Sequence, residues 1–159
     1  MYRQCHVMAK PGGAKCNIDC KYCFYHEKQS LYPQRKQHWK MSEETLEEYV
    51  KQHIAAQHSH PVTFSWQGGE PLLLGLPFFK RVVELCQRYG QGVKITHTLQ
   101  TNGILLNEEW ATFLAQHRFM VGLSVDGPET LHDRYRISHS GKGSHRFVMK
   151  ALSLLHRFQ

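Results

Sequence analysis

Three cysteines, Cys16, Cys20 and Cys23, stand at C-x3-C-x2-C spacing in KCNIDCKYCFY (residues 15–25), with Tyr22 between the last two and Phe24 and Tyr25 after them. Thiolates are the ligands of soft metals, yet three is an incomplete number for the common uses of cysteine. A disulfide takes two and a closed tetrahedral zinc site takes four. Zinc is reached only by adding His26, giving C-x3-C-x2-C-x2-H. A [4Fe–4S] cluster held through three of its irons uses all three thiolates and leaves the fourth iron open to an outside ligand.

Other chemistry-bearing residues come in short polar and glycine-rich segments: Gln67, Gly68, Gly69 and Glu70 in QGGEP, Gln100 in QTNG, and Ser124, Asp126 and Gly127 in SVDGP. Each alone is ordinary turn chemistry. What matters is that each follows an apolar run suited to a strand: residues 62–66, 94–100 and 119–125, with a further run near 4–9 ahead of the cysteines. Helical stripes lie between them. Leu46, Tyr49, Val50, His53 and Ile54 follow a possible Ser42 cap; Phe78, Val82, Leu85, Cys86 and Tyr89 form a second stripe. Trp110, Phe113, Leu114 and His117 form a third, and Phe147, Val148, Ala151, Leu152 and Leu155 a fourth. The order βαβαβαβα predicts an α/β fold of about four units, with a parallel sheet and helices on its outside. Ligands in such folds gather at the carboxyl ends of the strands. The segments should therefore converge on one rim.

Composition sets the surroundings. At 159 residues and 41% hydrophobic, the chain is long enough for one core and is expected to form one domain over 1–159. Neither a signal-peptide run nor an apolar stretch of membrane length occurs, which predicts a cytoplasmic protein with no membrane partner. Five cysteines in a reducing compartment argue for metal or catalytic use. Cys5, in the first strand, and Cys86, in a helical stripe, read as buried free thiols. The twelve histidines show no ligand spacing and are given no metal role. Of the net charge of +7, five units fall between residues 10 and 40, around the cysteines. No stacking platform or recognition helix accompanies them, so nucleic acid is not an expected partner. These lysines read either as a plain solvated loop or as a positive surface that lowers thiolate pKa values and attracts an acidic electron-carrying protein.

The sequence resembles the radical S-adenosylmethionine (SAM) enzymes, and within them the anaerobic sulfatase-maturating enzymes. Cys16, Cys20, Tyr22 and Cys23 meet the C-x3-C-x-aromatic-C motif. CNIDCKYCFY, QGGEPLLLGLPFF, LQTNGILLNEEWATFL, VGLSVDGPETLHDRYR and GKGS follow in the family's order across nearly the whole chain. The resemblance implies a partial (β/α) barrel in which Cys16, Cys20 and Cys23 hold a [4Fe–4S] cluster and SAM chelates the open iron. It implies that Tyr25 contacts the adenine, that Gly68, Gly69 and Glu70 form the methionine-binding strand end, and that Ser124 and Arg136 contact the ribose and carboxylate. Gln67, Gln100 and Asp126 would line the substrate cavity. The implied reaction cleaves SAM to a 5′-deoxyadenosyl radical, which takes a hydrogen from a sulfatase cysteine or serine on the way to formylglycine. Electrons would come from an acidic carrier such as flavodoxin or ferredoxin.

The family is more than twice as long, with six βα units and a cysteine-rich domain for two auxiliary clusters. This chain is accordingly expected to be a truncated radical SAM core without that domain, and no catalytic base is assigned in it. The alternative is a non-enzymatic remnant that binds cluster or SAM without turnover. An open sheet edge and partly exposed Leu152, Leu154 or Leu155 would then favour self-association.

Overall fold

In the computed structural model, which describes residues 6–31, 33, 38–57 and 61–158, alternation along the strands separates two unlike sheet faces. In β3 (Val62–Trp66), Val62, Phe64 and Trp66 are at most 2% exposed. In β4 (Ile95–Thr101), His97, Leu99 and Thr101 are buried at the same alternate spacing. These residues meet the helices. The intervening positions carry hydroxyls that bond across strands, Thr63 Oγ1 to Thr96 Oγ1 at 2.9 Å and Thr98 Oγ1 to Ser65 Oγ at 2.9 Å. With β1 (Met8–Ala9) and β5 (Phe119–Leu123) they form one parallel sheet in the order β1-β3-β4-β5.

Four helices build the apolar layer: α1 (Glu43–Ala56), α2 (Leu76–Tyr89), α3 (Glu108–Gln116) and α5 (His145–Phe158). Leu46 and Val50 of α1, Phe79, Val82 and Leu85 of α2, Trp110, Phe113 and Leu114 of α3, and Ala151, Leu154 and Leu155 of α5 share one core with Phe64 and Trp66. Ser42 caps α1 as expected, its Oγ accepting from Thr45 N at 3.2 Å. Asn107 does the same for α3 through Trp110 N at 2.9 Å. Among the described residues no helix is long and apolar enough to cross a membrane.

The α/β fold and the parallel sheet agree with the sequence reading, with corrections at the edges. The strands end at Thr101 and Leu123 where 100 and 125 were expected. His117 is the C-cap of α3, outside its stripe. Leu154 and Leu155 are buried, because α5 packs on α3, while Phe147 is 39% exposed and Leu152 half-buried. Cys86 is buried within α2, and Cys5 lies outside the described residues. Two features gave no periodic signal. They are α4 (Glu129–Tyr135) and a separate antiparallel pair of three-residue strands, β2 (Ile18–Cys20) and β6 (Arg136–Ser138), too short to show a period.

Candidate functional site

The cysteine loop is held at both ends by backbone. In the β2–β6 pair Cys20 stands opposite Arg136, Lys21 N donates to Tyr135 O at 2.9 Å, and Cys23 N closes a turn onto Cys20 O at 3.0 Å. Ahead of Cys16, the carbonyl of Lys15 accepts from Glu70 N at 2.8 Å, tying the loop to the turn after β3. Gly68 and Gly69 have φ of +90° and +50° in that turn. A Cβ on Gly69 would sit 1.9 Å from Lys15 O, and one on Gly68 would meet the Lys10 stem at 2.7–2.9 Å. These glycines let the cysteine loop and Lys10 close on the strand end.

Glu70 buttresses this junction from below. Its buried carboxylate accepts from Leu72 N at 3.0 Å, Thr101 Oγ1 at 2.7 Å and Asn102 N at 2.8 Å. Burial raises its pKa while the three donors oppose the rise. Asn102 carries the connection onward, its Nδ2 donating to Asn17 Oδ1 at 2.8 Å and lying 3.7 Å from Cys16 Sγ.

Above the junction lies a cavity of about 310 Å³. Cys16, Cys20, Cys23 and Tyr25 line it from the cysteine loop, Gln67, Gly68 and Gly69 from the end of β3, and Gln100 from β4. Ser124 and Arg136 complete the expected set. Gln100 crosses to Ser124, Nε2 to Oγ at 2.9 Å, because Gly122 has no side chain where the Gln100 amide lies. Glu70 and Asp126 are not among the lining residues. Asp126 is engaged instead by Arg136, whose Nε is 3.0 Å away, and by the Tyr22 hydroxyl. Burial pushes the Asp126 pKa up, but these bonds outweigh it and hold the carboxyl below its ordinary value. Tyr22 is 52% exposed, but partial desolvation and its hydrogen bond to Asp126 raise its pKa.

Lys10 and Asn102 also line the cavity, and the sequence reading advanced neither. The Lys10 ammonium stands 4.0 Å from the centroid of the Tyr25 ring, a cation–π contact. Its only sequence signal was its place just after the first strand, where it was counted as surface charge. Asn102 sat in the QTNG segment, but its tie to Cys16 is a long-range contact that spacing does not encode.

Burial raises the pKa of Cys16, and raises that of Cys20 to about 11 against the opposing pull of Arg136. Desolvation leads for both, and what opposes it is backbone N–H at Cys16 and Arg136 at Cys20 rather than the lysines. Such thiols keep their protons until a metal displaces them. Among the described residues no three His, Cys, Asp or Glu side chains are gathered as ligands of a single metal ion. The His26 Nδ1 is 3.3 Å from Asp19 Oδ1. The donor set therefore departs from a preformed Cys3His zinc site, whereas three thiols lining one cavity, with an amide N–H at Cys16, fit a cluster with one open position.

The profile of the radical SAM superfamily matches residues 11–159. A serine-type anaerobic sulfatase-maturating enzyme of Bacteroides thetaiotaomicron is 43% identical over 150 residues, which cover 94% of this chain and 36% of that protein. A cysteine-type anaerobic sulfatase-maturating enzyme of Clostridium perfringens is 40% identical over 156 residues, 96% of this chain and 41% of that protein. The chain thus spans well under half the length of these relatives. Among solved structures, native anSMEcpe with bound AdoMet aligns with a TM-score of 0.83 at 38% identity, over 94% of this chain and 40% of that one. The same protein with bound AdoMet and Kp18Cys peptide aligns at 0.85 and 38%, over 94% of this chain and 39% of that one.

Proposed function

The chain belongs to the radical SAM superfamily, and from that premise we propose that its cavity takes a [4Fe–4S] cluster and SAM as the cofactor-binding core of a sulfatase-maturating oxidoreductase. The observation that carries this reading is convergence: three cysteines, a double glycine, Ser124 and Arg136, drawn from separate elements, line one cavity. Structures with bound AdoMet at 38% identity support the cofactor.

In this reading Cys16, Cys20 and Cys23 hold the cluster and Asn102 places an N–H donor at the Cys16 sulfur. Tyr25, fixed under the Lys10 ammonium, offers its ring to the adenine. The Gly68–Gly69 turn presents backbone polar groups to the methionine end, with Glu70 fixing the turn from behind rather than touching the cofactor. Ser124 and Arg136 address the ribose and carboxylate, and Arg136 is aimed by Asp126. Gln67 and Gln100 face the remaining space, where a substrate side chain would enter. When bound, the cluster and SAM supply one-electron cleavage of the sulfonium and so a carbon-centred radical.

The substrate is a sulfatase polypeptide presenting cysteine or serine, the two classes named among the relatives. The electron donor is an acidic carrier such as flavodoxin or ferredoxin in the cytoplasm, met by exposed Lys15 and Lys21 and by Phe24, 78% exposed, beside the cysteines. Anaerobic reconstitution should yield about four iron and four sulfide per chain and, with SAM and dithionite, 5′-deoxyadenosine and methionine. Stoichiometric zinc without labile sulfide would overturn the reading. SAM cleavage without conversion of a sulfatase peptide would confine the chain to cofactor binding and activation.

A further inference from the structure

On α4, His132 has no exposed surface at all. Burying an imidazole is costly unless its nitrogens find partners, and both do. Nδ1 lies 3.3 Å from the Asp126 backbone nitrogen and Nε2 3.0 Å from Ser144 Oγ, which is itself 2.7 Å from the Arg136 carbonyl. A backbone amide can only donate and a carbonyl can only accept, so the protons are assigned without ambiguity. Asp126 N–H donates to Nδ1, Nε2–H donates to Ser144, and the Ser144 hydroxyl donates to Arg136. This is the neutral imidazole, and burial favours it, lowering the His132 pKa with Arg136 and His145 against Asp126 and Asp133.

The two backbone groups fixed in this way belong to Asp126 and Arg136, the partners of the ion pair at the cavity wall. Arg136 also stands opposite Cys20 in the β2–β6 pair. His132 itself does not line the cavity. We infer that His132 is a positioning residue: through the Asp126 amide and, by way of Ser144, the Arg136 carbonyl, it sets the spacing of the ion pair and so where the guanidinium stands beside the cysteine loop. The consequence for SAM affinity rests on the cofactor reading proposed above. The placement of Arg136 does not.

The test has two arms. In the thiol-reduced protein without added iron, the Arg136 Nε–H, buried in an ion pair but not aligned for a hydrogen bond, should give a resonance, identified by its loss in Arg136→Lys, that is sharp and protected from exchange by burial. His132→Phe and Ser144→Ala should each shift and broaden it while cooperative unfolding persists. An unmoved resonance in either variant overturns the inference. If His132→Phe fails to fold, Ser144→Ala, which removes one hydroxyl, decides. In the anaerobically reconstituted protein, His132→Phe should weaken SAM binding about tenfold, and by less than about twofold once Arg136 is already alanine. Equal losses in both backgrounds overturn the inference, because His132 would then act on the fold at large. Failure of the unsubstituted protein to bind SAM overturns the cofactor reading and leaves the Arg136 resonance to decide on His132.

Discussion

Gly68 and Gly69 are neighbours with the same left-handed preference, yet the chain asks different things of them. At Gly69 an added Cβ meets a carbonyl of the cysteine loop at 1.9 Å, and at Gly68 it meets the side chain of Lys10. Backbone cannot step aside, whereas at Lys10 the Cγ and Cδ can turn away and only its Cβ, 2.8 Å from the added atom, must shift with the chain. Gly69→Ala is therefore expected to displace the loop and lower the iron retained after anaerobic reconstitution, whereas Gly68→Ala should retain more iron and lose at least about 1–2 kcal/mol to its left-handed strain, with a further cost for shifting Lys10. Equal iron contents would contradict this. Glu70→Gln tests the buttress: one of its three donors would face an NH2 group, for an expected loss of about 1–3 kcal/mol in denaturant unfolding. Residue types and spacing were enough to pick out the cysteines, the glycines, Gln100 and Ser124 as one group, while Arg136 entered only through the family resemblance. They could not say that Gly69 serves the cysteine loop or that Asp126 serves Arg136, since these are contacts between distant segments.

Among the elements, the sheet shows where reading stops at one dimension. VTFSW reads as a uniformly apolar strand, but its alternate positions serve an apolar layer on one face and hydroxyl pairs on the other. His97 falls on the apolar side. Its ring stacks on Phe119 with centroids 4.5 Å apart and its Nδ1 is 3.4 Å from Trp66 Nε1. Burial lowers its pKa from 6.5 to about 4. Above pH 6.5 the ring is neutral folded or unfolded; as pH falls toward 4 the unfolded chain takes up a proton that the folded one resists, so stability falls in that window. The difference corresponds to about 3 kcal/mol. His97→Gln, which can still accept from Trp66, should flatten the pH profile of urea unfolding between those limits. A profile as steep as the original would show that another group titrates there. Long stripes such as those of α2 and α3 were legible because burial repeats at helical spacing over several turns. The β2–β6 pair and α4 were not, because three and seven residues give no period, and their places are set by the contacts of Cys20, Arg136 and His132.

At the scale of the whole molecule, the cavity is a meeting of segments from both sheets, each held to its neighbour by a few bonds: Glu70 to Lys15, Asn102 to Asn17, Gln100 to Ser124, Arg136 to Asp126. A ligand that touches all of them stabilises the fold by its full binding free energy, because the unfolded chain has no such meeting point. At SAM concentrations about 100 times the dissociation constant this amounts to about 2.7 kcal/mol, or a rise of about 5–10 °C in the unfolding midpoint for a chain of this size. The rise should require the cluster, since the open iron is the proposed anchor and the remaining contacts are polar groups also served by water. Thermal unfolding under anaerobic conditions, with and without SAM, should therefore show the shift in the reconstituted protein and not in the variant with Cys16, Cys20 and Cys23 all replaced by serine. A shift of equal size in that triple variant would mean that the strand ends alone hold SAM, and the three thiolates would again lack a reason for their number.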